Sequence, residues 1–432
     1  MSTDNYQDPL LERTLSWQDV RDTPSLSTRR SSTVDHVDGY RYVDCSNRKY
    51  RKPPLQFSIS ITSIDGNTNK TTCHPGSIFE GMVHMKLDTP LAAEHLRLVF
   101  KASERIHHEA HTRKRGERLF AIKTVLWGST ARRNEEQWPL IESGEHQFPF
   151  MCEIPMVNYP PTYRNHLASC VFELMACLDR PGIRPFQTVP TTIRYEPYIV
   201  STTNILPNIY QQEALINNHK VLVTLSKGCS FNLLDRNSDL IKLQLFVTRP
   251  IELFSHIEVF IKRNIQVSFG AYQRSDSMVM SHVEQSSFGV ERKSENGCTY
   301  YIRLPIPTEI SKHNNPTILK NFSVFGMTPS FDFSRHVKMD YKLHITAKIK
   351  TGLISSKREL FAIPLHFGTV ASGEPLPPNL LSYRDPQVIQ DTTLSTKPRF
   401  IKATLPEEQL PAYDHDLSPP EYSSGLRSIT SS

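Results

Sequence analysis

The sequence predicts an all-β chain: two tandem immunoglobulin-type β-sandwiches between disordered N- and C-terminal tails. Three observations predict it. Short runs rich in Val, Ile, Phe, Leu and Thr alternate apolar with polar residues from residue 55 to residue 368. Asp-Gly, Pro-Gly, Ser-Gly and Pro-Pro steps punctuate the runs, as turns between antiparallel strands require. No helical stripe of about 11–18 residues interrupts them.

Residues 1–54 read as a disordered arm, with much Ser, Thr, Asp and Arg and few clustered aliphatics. Within it lies Arg29-Arg30-Ser31-Ser32-Thr33, which places arginines three and two residues before Ser32. Basophilic kinases read that pattern, so Ser31 and Ser32 are candidate phosphosites. A basic knot of Arg48, Lys49, Arg51 and Lys52 precedes the first ordered run.

The first sandwich is expected over 55–200. Its strands are LQFSISITSI (55–64), SIFEGMVHMKLD (77–88), HLRLVFKASERI (95–106), RLFAIKTVLW (118–127), HQFPFMCEI (146–154), SCVFELMACLD (169–179) and TTIRYEPYIV (191–200). Residues 201–219 break the rhythm and read as an inter-domain connection. The second sandwich, 220–370, holds KVLVTLSKG, LIKLQLFVTRP, SHIEVFIKRNIQVSF, YYIRLPIP, VKMDYKLHITAKI and LFAIPLHFG. After Gly368 the apolar pattern stops, and 371–432, rich in Pro, Ser and Thr, is expected to be disordered.

Composition narrows the function. Among 432 residues, 38% are hydrophobic, enough for sizeable cores. The net charge of +6 is small for a dedicated nucleic-acid binder, so no nucleic acid is expected as partner. No apolar run approaches the roughly 18 residues of a membrane-spanning helix. The opening MSTDNYQDPLLER lacks the basic and apolar regions of a secretory signal. The seven cysteines include no C-x-x-C pair, so reduced thiols in a cytoplasmic chain are expected.

Catalytic motifs are missing. There is no G-x-G, Walker A, H-E-x-x-H or G-x-S-x-G string. His107, His108 and His111 are spaced too irregularly to converge on a metal from one strand or loop. Cys170 and Cys177 sit seven residues apart, on opposite faces of one strand. The chain reads as a non-enzyme with no cofactor and no metal.

The tail carries the informative signal. Pro419-Pro420-Glu421-Tyr422 is a P-P-x-Y string, which WW domains bind because the prolines pre-form a polyproline helix and the Tyr fills a second pocket. From the Pro and Tyr content about 0.08 such strings are expected by chance. Leu410-Pro411-Ala412-Tyr413 repeats the grammar nine residues upstream with Leu for the first Pro. That spacing spans roughly 15–18 Å as coil and suits a tandem-WW partner. A second signal is basic: residues 101–133 hold nine Lys/Arg and three acids. Arg113, Lys114, Arg115 and Arg118 form its tightest part, read either as a solvated loop or as a contact for anionic lipid.

The order of several segments resembles the alpha-arrestins, or arrestin-related trafficking adaptors. GEHQFPFMCEIP (144–155) with PPTY (160–163), then CVFELMACLDRPG (170–182), is similar to their N-domain. KVLVTLSKGCSFNLLDRNSDLIKLQLFV (220–247), HVKMDYKLHITAKI (336–349) and LFAIPLHFG (360–368) are similar to their C-domain. One departure is Ser238-Asp239, where that family often has Gly-Asp. The polar-core switch of visual arrestins has no matching position. The resemblance implies an adaptor. On that resemblance a WW-domain HECT ubiquitin ligase is expected to dock on Pro419, Pro420 and Tyr422, with Leu410, Pro411 and Tyr413 secondary. The cargo it implies is a plasma-membrane transporter or receptor, expected to be ubiquitinated and internalised. The chain is then cytoplasmic and recruited peripherally to plasma membrane and endosomes. A ligase-independent arrestin-fold scaffold, like the retromer subunit, is the alternative.

Overall fold

The computed structural model describes residues 36–37, 40–44, 47–107, 115–128, 137–180, 183–201, 209–217, 219–235, 240–248, 254–294, 297–307, 327–351, 354–371, 373–386, 388 and 396–401. Strand alternation builds the first sandwich. Its main strands are β1 (Gln56–Ile64), β2 (Ile78–Leu87), β3 (His95–Ile106), β4 (Arg115–Gly128), β5 (Gly144–Glu153), β6 (Ala168–Arg180) and β7 (Thr191–Tyr195). One sheet runs β5-β2-β1, and the other runs Thr72–Cys73, β7, β6, β3, β4. Every second residue of β3 from Leu96 to Ile106 is buried, and β2 buries Phe79, Val83, Met85 and Leu87 against it. Phe79 meets Phe100 edge-on at 5.3 Å, and Phe100 meets Phe120 at 5.1 Å.

The second sandwich comprises β8 (Tyr210–Ile216), β9 (His219–Leu225), β10 (Leu240–Thr248), β11 (Phe254–Phe269), β12 (Tyr272–Glu284), β13 (Gly289–Ser294), β14 (Gly297–Pro305), β15 (Val337–Thr351) and β16 (Ile354–Gly368). Its sheets run β8-β9-β10-β14-β13 and Ser230–Asn232, β16, β15, β11, β12. The long β11 places Arg263 on its buried side between Ile261 and Ile265. Arg263 is only 1% exposed, and its Nε and Nη2 have no hydrogen-bond partner. It does bond Tyr341, whose phenol burial pushes up to about 12 despite that cation.

The sandwiches meet where the chain crosses between them. Ser201 N donates to the Val370 carbonyl at 2.9 Å, and Thr369 N donates to the Ile199 carbonyl at 2.8 Å. Gly368 makes the crossing possible, because a Cβ there would lie 2.5 Å from Ser201 Cα and 2.6 Å from the Ile199 carbonyl oxygen.

Four segments depart from the expected boundaries. Tyr40–Asp44, assigned to the disordered arm, is a strand in a small sheet with His36–Val37, Gln137–Ile141 and Leu91–Ala92. Val43, Ala92, Trp138 and Leu140 form its own apolar cluster, with Tyr50 and Ile183 against it. β8, assigned to the connection, pairs along its whole length with β9. Residues 381–382 and 399–401, assigned to the disordered tail, add strands to the first sandwich. β8 and Arg399–Ile401 are edge strands, and Tyr40–Asp44 and Leu381–Ser382 are short, so they show little of the alternation that marks a long central strand.

Candidate functional site

Strict alternation along β3 puts Leu96, Leu98, Phe100 and Ala102 inward, and the next inward position is Glu104. The carboxyl is only 2% exposed. Tyr163 OH donates to Glu104 Oε1 at 2.9 Å, and Ser334 Oγ of the second sandwich sits 2.8 and 2.7 Å from the two oxygens. Burial raises the Glu104 pKa, over the opposing hydrogen bonds of Ser334 and Tyr163 and the charge of His336. The direction of that shift is toward the neutral form, in which the carboxyl could both donate and accept across the domain boundary.

Beside it, Glu117 of β4 pairs with Arg335 and lies 3.3 Å from His336 Nε2. Burial by itself would raise Glu117; the His336 hydrogen bond, the Arg335 and His336 charges and the Tyr383 hydroxyl outweigh it and hold the carboxyl low. The Glu117 hydrogen bond raises His336 in turn. A third segment closes the cluster. Leu381–Ser382 runs parallel to Val157–Asn158. Next, Tyr383 packs on Tyr159 at 5.6 Å, and its OH donates to Glu117 Oε1 at 3.2 Å. Arg384 Nη2 donates to the Ser334 carbonyl at 2.7 Å. These groups satisfy one another, so the arrangement fastens two sandwiches and a strap.

The chain then returns once more to the first sandwich. Tyr159 OH donates to the Thr396 carbonyl. Arg399–Ile401 pairs antiparallel with β5, with Met151 opposite Ile401 and Glu153 opposite Arg399. Phe400 and Ile401 line a groove with Val125, Leu126, Phe148 and Phe150.

The residues singled out from the sequence fall around this framework. Leu410, Pro411, Tyr413, Pro419, Pro420 and Tyr422 lie outside the described residues, nine or more positions past Ile401. Ser31, Ser32, Arg113 and Lys114 also lie outside them. Arg115 belongs to β4, opposite Ile106, which shortens the expected basic loop, and Arg118 is exposed on the same strand. The other P-P-x-Y string, Pro160 to Tyr163, is buried, and Tyr163 spends its hydroxyl on Glu104. It is part of the core and offers no surface to a WW domain. The six described cysteines are buried, including Cys170 and Cys177.

The basic knot forms a turn. Arg48–Tyr50 is a 3-10 turn capped by Asn47 Oδ1, which accepts from Lys49 N at 3.0 Å. Arg48, Lys49, Arg51, Lys52 and Thr89 line a surface groove. Among the described residues no three His, Cys, Asp or Glu side chains are placed to hold a metal ion, and no helix is long and apolar enough to cross a membrane.

The sequence reading missed Glu104, Glu117, Ser334, His336 and Tyr383. For Glu104 the signal was present: an acid at an inward position of an alternating strand. The others are brought together only by the approach of separate segments. Residues 62–195 match the family model described as Arrestin (or S-antigen), N-terminal domain, from within β1 to the last residue of β7. No curated protein matches the chain significantly. The first sandwich thus resembles an arrestin N-terminal domain, and the all-β build of both sandwiches is consistent with arrestin-type β-sandwich domains.

Proposed function

We propose that this chain is an alpha-arrestin-type adaptor, which brings a WW-domain HECT ubiquitin ligase to a transporter or receptor at the plasma membrane. The observation that carries the reading is the joining of an arrestin-type N-terminal domain to a P-P-x-Y string beyond the last anchored strand. Arrestin-type domains are the hallmark of trafficking adaptors and scaffolds, and the proposal adds ligase recruitment through Pro419, Pro420 and Tyr422. The physical role is effective concentration, with ligase and cargo held on one chain. Pro419 follows Ile401 by 18 residues. As coil that linker spans about 21–25 Å r.m.s., so a docked ligase stays close to the β5 edge. Leu410, Pro411 and Tyr413 supply a second, weaker contact. The chain itself catalyses nothing in this scheme, and it acts from the cytoplasm at plasma membrane and endosomes.

Affinity capture from cells tests the proposal. The intact chain should retain a HECT ligase together with a membrane protein. A chain lacking 405–432 keeps the Arg399–Ile401 anchor and should lose the ligase while retaining the membrane protein. Equal ligase capture by both would leave a ligase-independent scaffold as the better reading.

A further inference from the structure

Arg263 has no chemical counterpart in the core around it. The other buried residues of β11 from Ile257 to Val267 are all aliphatic: Ile257, Val259, Ile261, Ile265 and Val267. Among the described residues of the second sandwich, Arg263 is the one buried charged side chain. A guanidinium, unlike a carboxyl or an amine, keeps its charge when buried. Its surroundings must supply an opposite charge or bear a large desolvation cost.

Two carboxylates on neighbouring strands are turned elsewhere. Asp340 of β15 points to the outer face, where it accepts from Asn264 Nδ2 at 2.8 Å. Asp276 of the edge strand β12 is 35% exposed and lies 3.5 Å from His166 Nε2 of the first sandwich. The unused donors of Arg263 share one edge. Nε and Nη2 carry parallel N–H groups, the fork that grips a single anion, and neither has a hydrogen-bond partner. The guanidinium also bonds Tyr341, whose hydroxyl donates onward to the Thr328 carbonyl at 2.6 Å. Thr328 is 3% exposed and its own hydroxyl is unpartnered. Ser281, opposite Ile261 on β12, has a second unpartnered hydroxyl. A water molecule would satisfy the two N–H groups and leave the charge uncancelled, whereas an anion does both.

We propose that Arg263 binds a small monovalent anion of the chloride class inside the second sandwich, through Nε and Nη2, with the Thr328 hydroxyl as a third donor. A guanidinium 1% exposed is out of reach of a bulky anion such as a lipid headgroup. The anion ties β11 to residues 327–331. That segment is joined to β15 where Phe331 and Met339 exchange hydrogen bonds of 3.0 and 2.8 Å. Three residues later it reaches Ser334 and the contact with Glu104 of the first sandwich. Anion occupancy thus steadies the segment that carries the contact between the two sandwiches. This inference is independent of ligase recruitment.

Thermal melts of the full chain in sodium chloride and in sodium gluconate of equal ionic strength test it. A site half-filled near 10 mM chloride should raise the melting temperature by about 3–6 °C at 100 mM, with no such rise in gluconate. Exchange of the Phe331 and Met339 amides should slow over the same range of chloride. Arg263→Met should melt alike in both salts, and Thr328→Val should need more chloride for the same rise. Crystals of the unaltered chain soaked in bromide should show an anomalous scattering peak beside Arg263 Nε and Nη2, a readout that needs no variant to fold. Equal melting of the unaltered chain in chloride and gluconate overturns the proposal. So does a chloride-dependent rise that persists in Arg263→Met, or a bromide-soaked crystal with no peak at the guanidinium edge.

Discussion

Replacing Glu104 separately by Gln and by Leu distinguishes a neutral buried acid from an ionised one. The Gln amide keeps an acceptor for Tyr163 OH and gains a donor toward Ser334 Oγ, so Glu104→Gln should change stability by less than about 1 kcal/mol near pH 6. Glu104→Leu strands both hydroxyls at about 1–3 kcal/mol each, offset by about 1–2 kcal/mol of apolar burial. The net cost is about 1–4 kcal/mol, or roughly 3–12 °C in melting temperature for sandwiches of this size.

The pH dependence has a definite sign. The raised Glu104 pKa gives a contribution fully present below the ordinary value of 4.5 and lost as pH rises through the folded value. His336 is also raised, so its contribution is present below 6.5 and fades above its folded value. Glu117 is lowered, so its contribution is present above 4.5 and lost as pH falls through its folded value. The junction should be tightest in mildly acidic solution, and Glu104→Gln should remove the Glu104 part of the decline toward neutral pH. Thermal melts of the full chain at pH 5, 6, 7 and 8 measure this. If Gln and Leu cost equally at pH 7, Glu104 is ionised in the folded protein and the assignment fails.

Three further outcomes are expected. Arg263→Met should be neutral or stabilising by up to about 4 kcal/mol, because it removes a buried charge with two unpartnered nitrogens; a lower urea midpoint would show that the guanidinium is needed. Gly368→Ala should cost about 1–3 kcal/mol, since its Cβ would meet Ser201 Cα at 2.5 Å, and an unchanged melting temperature would place the inter-domain crossing elsewhere. Phe400→Ala should cost about 1 kcal/mol and release Arg399–Ile401 to proteolysis, while resistance like that of the unaltered chain would mean the strand is held by backbone pairing alone.

Much of the fold is legible where strands are central. The run 95–106 coincides with β3, and 337–349 lies within β15, because both carry a long alternating inward face, broken in β3 by Glu104 alone. Polar edges defeat the same reasoning: β8 exposes Gln211, Gln212 and Glu213, and β12 exposes Gln273, Arg274 and Ser275. The two-residue strand at 381–382 is shorter than any periodicity. The candidate site is less legible. Pro419-Pro420-Glu421-Tyr422 can be read directly because its chemistry is local. Pro160-Pro161-Thr162-Tyr163 has the same grammar and a structural fate, which only its burial against Glu104 reveals. The junction of Glu117, His336 and Tyr383 needs three segments far apart in sequence, so no local pattern marks it.

The central claim is that Tyr422 docks a WW domain. The most direct measurement is calorimetric titration of a HECT ligase WW domain into the full-length chain and its Tyr422→Ala variant. The account predicts binding to the unaltered chain and at least about a tenfold loss, near 1.4 kcal/mol, on removing the Tyr side chain. Melting temperatures of the two proteins should be equal. Equal affinities for the two chains would contradict the account, and the arrestin fold would then serve a scaffold that works without a ligase.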